Sequence, residues 1–131
     1  MQQIQLAVNG TLMRGFALNA NLTTLGAEFV RSTHTAPLYR LWSVGDAYPA
    51  MQYDAQEGGS IEVEIWQLNA GALLQILLAE PPGLCLGRVH LEDGSTVFGI
   101  LGEASICAGQ REITEYGGWR GYWGEKVRNE S

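Results

Sequence analysis

The chain has 131 residues, 46% of them hydrophobic, which is enough to enclose one core and too few for two ordinary domains. Eight Lys and Arg residues against 14 Asp and Glu residues give a formal net charge of −6, with no basic stripe, so we expect no nucleic-acid partner. No apolar run approaches the ~20 residues that span a bilayer, and the N-terminus lacks a signal-peptide pattern. The sequence therefore predicts one cytoplasmic domain over residues 1–131, without a membrane partner.

The first elements are a strand, a turn and a short helix. Gln3–Val8 alternates in polarity and stops at Asn9-Gly10, which predicts a strand that enters a tight turn. Residues 18–25 are typical of a short helix, with Asn19 available as its N-cap and Gly26 as its stop.

Two further strands and a loop are predicted next. Residues 27–33 and 38–44 are rich in β-branched and aromatic residues, so we interpret them as strands joined by a short connection. Residues 45–59 are typical of a loop.

The clearest strand of the sequence covers residues 60–68, where polarity alternates. One face carries Ile61, Val63, Ile65 and Gln67, and the other carries Glu62, Glu64, Trp66 and Leu68. The two glutamates can line a cavity, but a solvated face is the more frequent outcome for such a pattern.

Glu80 is a candidate general base at the end of a predicted helix. Asn69 can cap that helix, which runs through Ala79 with a stripe of leucines and ends at Pro81-Pro82. A carboxylate at this position can be partly desolvated, which would raise its pKa towards the range of a general base. The alternative is a solvated glutamate at a helix end.

A hairpin completes the predicted sheet. Residues 84–91 and 96–101 flank a turn that contains Asp93-Gly94, a step that favours tight hairpins. Because strands outnumber helices and several form hairpins, the sequence predicts an α+β domain with a mixed or largely antiparallel sheet, either open or closed.

Two glycine-containing segments are candidate binding elements. The turn at residues 9–15 can aim backbone N–H groups at a carboxylate, although a plain tight turn is also consistent with it. Residues 116–123 hold four aromatic residues and Arg120. They form either a core plug or a recognition wall where Arg120 binds a carboxylate beside Trp119.

Cysteine and histidine do not predict a metal site. Cys85 and Cys107 stand alone in apolar stretches, which favours buried structural thiols over a reactive cysteine or a disulfide. His34 and His90 have no partner at metal-ligand spacing. We expect neither a metal nor an organic cofactor.

Six blocks of the chain, in this order and at this spacing, resemble the C-terminal domain of allophanate hydrolases. They are LAVNGTLMRG (6–15), LN (18–19), APLYRL (36–41), IEVEIW (61–66), EPPGL (80–84) and GGWR (117–120). The resemblance covers residues 4–122. The large amidase module of those enzymes is not part of this sequence, so the chain looks like a free-standing relative of their C-terminal domain. It implies a fold similar to γ-glutamylcyclotransferases, a small barrel with a few short helices.

The resemblance also implies roles for particular residues. In γ-glutamylcyclotransferases, loop amides after the first strand hold the glutamyl group, and a glutamate after a leucine-rich helix moves a proton. Asn9, Gly10, Thr11 and Leu12 match that loop, with Asn and Thr in place of the usual Tyr and Ser, and Glu80 matches the catalytic residue.

The resemblance to allophanate hydrolase C-terminal domains implies a second reaction, which is decarboxylation of the N-carboxyurea-type product of the amidase. Many carry Gly-Ala-His-Leu where this chain has residues 10–13, so the histidine is missing. Tyr39 or Glu80 would then donate the proton, and loop amides with Arg40 or Arg120 would hold the carboxylate.

Our leading hypothesis is therefore a cofactor-independent lyase or cyclotransferase, related to urea and nitrogen metabolism, that acts on a carboxylated or γ-glutamyl amide. The alternative is a non-catalytic ligand-binding or accessory module that works with a separate amidase; a purely structural interaction protein is a third hypothesis. A homodimer is compatible with each of them. No G-x-S-x-G or Ser-x-x-Lys motif supports a covalent hydrolase.

Overall fold

The computed structural model describes residues 3–130; Met1, Gln2 and Ser131 of the predicted domain 1–131 lie outside the described residues, and the single domain stays a prediction. This range contains eight strands, four α-helices and one 3₁₀ turn. They are β1 (Gln3–Val8), α1 (Asn19–Thr23), β2 (Glu28–His34), β3 (Tyr39–Val44), β4 (Tyr48–Tyr53), β5 (Glu62–Asn69), α2 (Ala70–Ala79), β6 (Leu84–His90), β7 (Thr96–Gly102), α3 (Ala104–Cys107), β8 (Arg111–Glu112), a 3₁₀ turn (Thr114–Tyr116) and α4 (Trp119–Glu130).

The described strands form two sheets around a shared core. The larger sheet has the order β2-β5-β1-β7-β6, and the smaller has the order β4-β3-β8. Every named strand pair is antiparallel except β1 with β7. The sheets meet where a Cβ placed on Gly102 of β7 would lie only 2.7 Å from the Cβ of Ala50 on β4, so glycine permits this close approach. The α+β class is confirmed, with a barrel-like core built from two sheets rather than one closed ring.

Local sequence signals predicted two elements correctly. Helix α2 begins after Asn69, whose Oδ1 accepts a hydrogen bond from Ala72 N at 2.8 Å, and it ends at Ala79 before the two prolines. The hairpin β6–β7 turns through Gly94, which has a φ of 88°. A glycine is favoured at that position because side chains are strained at positive φ.

The loop predicted for residues 45–59 is wrong, because β4 lies inside it and pairs with β3. Gly45 and Asp46 both have positive φ, 59° and 58°, and together they make the tight turn between these strands. Strands β2 and β3, which a short connection joins as expected, lie in different sheets. The C-terminal segment forms helix α4.

Two side chains differ from their predicted roles. Leu18, not Asn19, is the N-cap of α1, because the Asn19 amide instead donates to Leu12 O at 2.8 Å. Cys107 is buried as predicted, whereas Cys85 is exposed, since the β6 strand presents it to solvent.

Strand β5 is covered on both faces, which corrects the expectation of a solvated face. Glu64, Trp66 and Leu68 are all buried, and Glu64 has no exposed surface. The paired neighbours β1 and β2 surround this strand, so charged groups near it must find partners within the protein.

Candidate functional site

A small cavity brings together the loop after β1 and the end of α2. Its wall includes residues 9–12 on one side and Glu80 on the other, with Tyr48 and Pro49 of β4 closing it. The cavity has a volume of about 20 Å³, which is the space of a single water molecule. The two segments that the sequence singled out as candidates therefore lie in one place.

The backbone of the loop uses its carbonyl oxygens and three of its amides differently. The carbonyl oxygens of five successive residues accept hydrogen bonds from the protein, namely those of Gly10, Thr11, Leu12, Met13 and Arg14. The amides of Gly10, Thr11 and Leu12 donate none within residues 3–130. Since these three residues line the cavity, their amides are candidate donors to an oxygen atom of a ligand.

Glu80 combines burial with the absence of a partner. Its carboxyl is half-buried and makes no hydrogen bond or ion pair within the part of the chain that the structure describes. Burial raises the pKa of Glu80 above its ordinary value of 4.5. A carboxyl whose pKa is raised is better suited to take and return a proton than an ordinary glutamate.

Tyr48 and Pro49 are wall residues that sequence reasoning missed. Both belong to β4, which was predicted to be loop, so no local signal placed them opposite residues 9–12. The Pro49 ring packs directly against Gly10, and a Cβ at position 10 would overlap its Cδ and Cγ. Gly10 therefore allows the loop to approach β4.

Tyr39 and Arg40 lie elsewhere. The Tyr39 side chain is fully buried and its hydroxyl accepts a hydrogen bond from His90 N at 2.9 Å; burial raises the pKa of Tyr39. The Arg40 guanidinium binds Glu112, with a shortest distance of 2.6 Å, and Asp54 at 3.5 Å. Neither residue lines the cavity of Glu80.

The aromatic C-terminal segment also lies apart from that cavity. Trp119 is 1% exposed and packs against Tyr122 and Trp123, so it belongs to the core. Its Nε1 is the one buried side-chain polar atom without a partner within residues 3–130. Arg120 is engaged by two carboxylates, with Nη2 at 3.1 Å from Glu64 Oε2 and Nε at 3.4 Å from Glu62 Oε1. Trp119 thus follows the core alternative, Arg120 lies at the surface of this segment, and neither residue lines the cavity of Glu80.

Residues 3–130 contain neither a metal-binding cluster nor a membrane-spanning helix. No group of three or more His, Cys, Asp and Glu side chains is arranged to hold a metal ion. None of the described helices has the length and hydrophobicity that crossing a membrane requires.

Comparison with known proteins identifies the fold and the family. The model of the allophanate hydrolase C-terminal domain matches residues 4–124. Urea amidolyase of Saccharomyces cerevisiae is 27% identical over 98% of this chain, which spans 7% of that relative's length.

Solved structures agree with this assignment. A uropathogenic E. coli-specific protein is 48% identical, with a TM-score of 0.92 over 95% of this chain and 98% of that one. An AIG2-like protein of Mus musculus, 20% identical, shares the γ-glutamylcyclotransferase-like fold, with a TM-score of 0.62 over 83% of this chain and 82% of that one. The chain therefore belongs to the family of the allophanate hydrolase C-terminal domain.

Proposed function

We propose that this chain is a small-molecule enzyme that acts on a carboxylated or γ-glutamyl amide bound between residues 10–12 and Glu80. The observation that carries the proposal is one cavity lined both by Glu80, a half-buried carboxyl, and by residues 10–12, none of which uses its carboxyl or amide in a hydrogen bond within residues 3–130. Such a pairing provides a proton carrier and a place for negative charge.

The cavity can assist two related reactions. In cyclotransfer, Glu80 takes a proton as the substrate amine attacks its γ-carbonyl, the amides bind the developing oxyanion, and Glu80 returns the proton to the leaving amine. In decarboxylation of an N-carboxyurea, the C–N bond to the carboxylate breaks, CO₂ leaves, and the electron pair on nitrogen takes a proton from Glu80. Both reactions need no group beyond those in the cavity wall and the substrate.

Ligand binding requires the cavity to widen. A space of about 20 Å³ does not admit a dipeptide, so we propose that the β4 wall at Tyr48 and Pro49 moves away from Gly10 when a substrate binds. The hydroxyl of Tyr48 makes no hydrogen bond within residues 3–130. We propose that this hydroxyl donates a hydrogen bond to the substrate.

The first test compares turnover by the wild type and Glu80→Gln on γ-glutamyl dipeptides and freshly generated N-carboxyurea. Glu80→Gln keeps the side-chain shape and removes the proton carrier, so we expect kcat to fall by about two orders of magnitude or more. Glu92→Gln, an exposed change in the β6–β7 turn, is the matched control and should leave kcat unchanged. Equal turnover by wild type and Glu80→Gln would remove Glu80 from the mechanism.

The raised pKa of Glu80 predicts a pH profile for cyclotransfer. As a general base Glu80 must be ionised, so kcat/KM should fall as the pH decreases through its pKa, which lies above 4.5. The rate is measured across the acidic range under conditions where the protein stays folded. A flat acidic limb in the wild type would contradict the assignment.

A binding or accessory module that works with an amidase is the second candidate. It is favoured by the curated relative, a urea amidolyase, of which this chain spans only 7%. This hypothesis predicts ligand binding at residues 10–12 without turnover of any substrate in the panel.

A further inference from the structure

Glu64 is a fully buried carboxylate in the middle of β5, and both of its oxygens are bonded. Oε1 accepts hydrogen bonds from Arg14 N at 2.9 Å and Trp66 Nε1 at 3.1 Å. Oε2 accepts from Arg14 Nε at 3.2 Å and Arg120 Nη2 at 3.1 Å. We call these four residues the Glu64 cluster. Two guanidinium groups offset the unfavourable burial of the negative charge, so the carboxylate has one defined position.

The Glu64 cluster binds the main chain at Arg14, which lies at the end of the loop after β1. Glu64 binds Arg14 N, and Arg120 Nη2 donates to Arg14 O at 3.1 Å, so both peptide groups of Arg14 are held. The guanidinium carbon of Arg14 also lies 3.6 Å from the ring centroid of Phe29. At the opposite end of the loop, Asn9 Nδ2 donates to Ile100 O at 3.0 Å. The loop is thus fixed at both ends by contacts to the larger sheet and α4.

We propose that Glu64 is a positioning residue, which acts through Arg14 and Arg120 to keep the amides of residues 10–12 directed into the Glu80 cavity. Between the two fixed ends, the carbonyl oxygens of residues 10–13 accept hydrogen bonds from the protein. The amides of residues 10–12 donate none within residues 3–130. If Arg14 were released, these amides could turn to other acceptors, because a glycine-containing turn has several accessible conformations. The inference rests on the proposed function, since it concerns the same cavity.

The test uses Arg120→Met, which removes the hydrogen bonds to Glu64 and Arg14 O but keeps an apolar stem beside Phe16. The Arg120 side chain is 42% exposed, so the substitution should leave the fold intact. Arg31→Met is the matched control, because its ion pair with Asp93 is long, at 3.5 Å, and about half exposed. Arg120→Lys tests rescue by a shorter cation.

Two measurements are made on each variant: hydrogen exchange of the Met13 and Arg14 amides, and steady-state kinetics. For Arg120→Met we expect faster exchange and a kcat/KM about tenfold lower, since a displaced amide loses about one hydrogen bond to the substrate or its oxyanion. Arg120→Lys should recover part of kcat/KM, and Arg31→Met should resemble the wild type.

Unchanged exchange in Arg120→Met would overturn the proposal, and so would faster exchange with an unchanged kcat/KM, which would indicate a purely structural role. If the wild type turned over none of the panel, ligand affinity measured by titration would replace kcat/KM. Absence of both binding and turnover in the wild type would contradict the proposed function, and amide exchange alone would then decide whether the cluster positions the loop.

Discussion

At the scale of single residues, the burial of the Glu80 carboxyl is unfavourable for its ionised form. The carboxyl is half-buried without a partner within residues 3–130, and burial raises its pKa. A raised pKa means that the folded state favours the protonated form, so the associated stability is fully present below the unfolded pKa and is lost as the pH rises through the folded pKa. Strain of this kind is typical of functional positions.

Glu80→Gln should therefore make the protein more stable at neutral pH, where the wild type must bury an ionised carboxyl. Near pH 4 the wild-type carboxyl is already largely protonated in the folded state, and the gain should shrink. Thermal unfolding of both proteins at the two pH values measures the difference, with Glu92→Gln as the control. The same gain at both pH values would contradict the burial argument.

Gly10 gives a second prediction at this scale. In Gly10→Ala the new Cβ would overlap the Pro49 ring, so we expect a loss of about 1–3 kcal/mol in the free energy of unfolding, as for other overpacked sites. Gly124→Ala in α4 has its nearest neighbour, Arg128 Nη1, at 3.9 Å and should instead gain about 0.5–1 kcal/mol. Urea unfolding compares the two. Equal changes in the free energy of unfolding would contradict the close packing of Gly10 against Pro49 of β4.

At the scale of elements, α2 sets the position of Glu80. The helix begins at the Asn69 cap, and Glu80 follows its last residue, Ala79. Ten uncharged residues give this helix little intrinsic electrostatic support, so the cap and the buried side chains Leu73 and Ile76 should matter.

Asn69→Ala should lower the free energy of unfolding by about 1 kcal/mol, because the Ala72 amide loses its acceptor. Asn69→Asp preserves an oxygen acceptor and should retain most of the stability. Gln75→Ala, at an exposed position of the same helix, is the control and should stay within about 0.5 kcal/mol of the wild type. If Asn69→Ala behaved like the control, the cap would contribute nothing to α2.

Elements with local signals could be predicted, and those set by distant contacts could not. The Asn69 cap and the Asp93-Gly94 turn act within a few residues of themselves, which is why α2 and the β6–β7 hairpin appear where the sequence indicated. Asn19 also has the residue type of a cap, yet its amide bonds Leu12 O across the loop. Strand β4 contains Pro49 and follows a glycine turn, so local propensity argued against it.

At the scale of the whole molecule, the site depends on contacts that join distant parts of the chain. The Glu64 cluster joins residues separated by 50 and 56 positions, which explains why the sequence predicted a solvated face for Glu64. The family resemblance predicted that residues 9–12 lie near Glu80. The position of Tyr48 in the cavity wall could be predicted only from the arrangement of the two sheets.

The most direct test of the central claim, that residues 10–12 and Glu80 form the ligand site, is a titration of the ¹⁵N-labelled protein with a γ-glutamyl dipeptide, followed by backbone amide NMR. We expect the largest shifts at the amides of Gly10, Thr11 and Leu12, which have no acceptor within residues 3–130, and smaller shifts at Tyr48. Shifts centred on Arg40 or on residues 116–123, with residues 10–12 unperturbed, would contradict it.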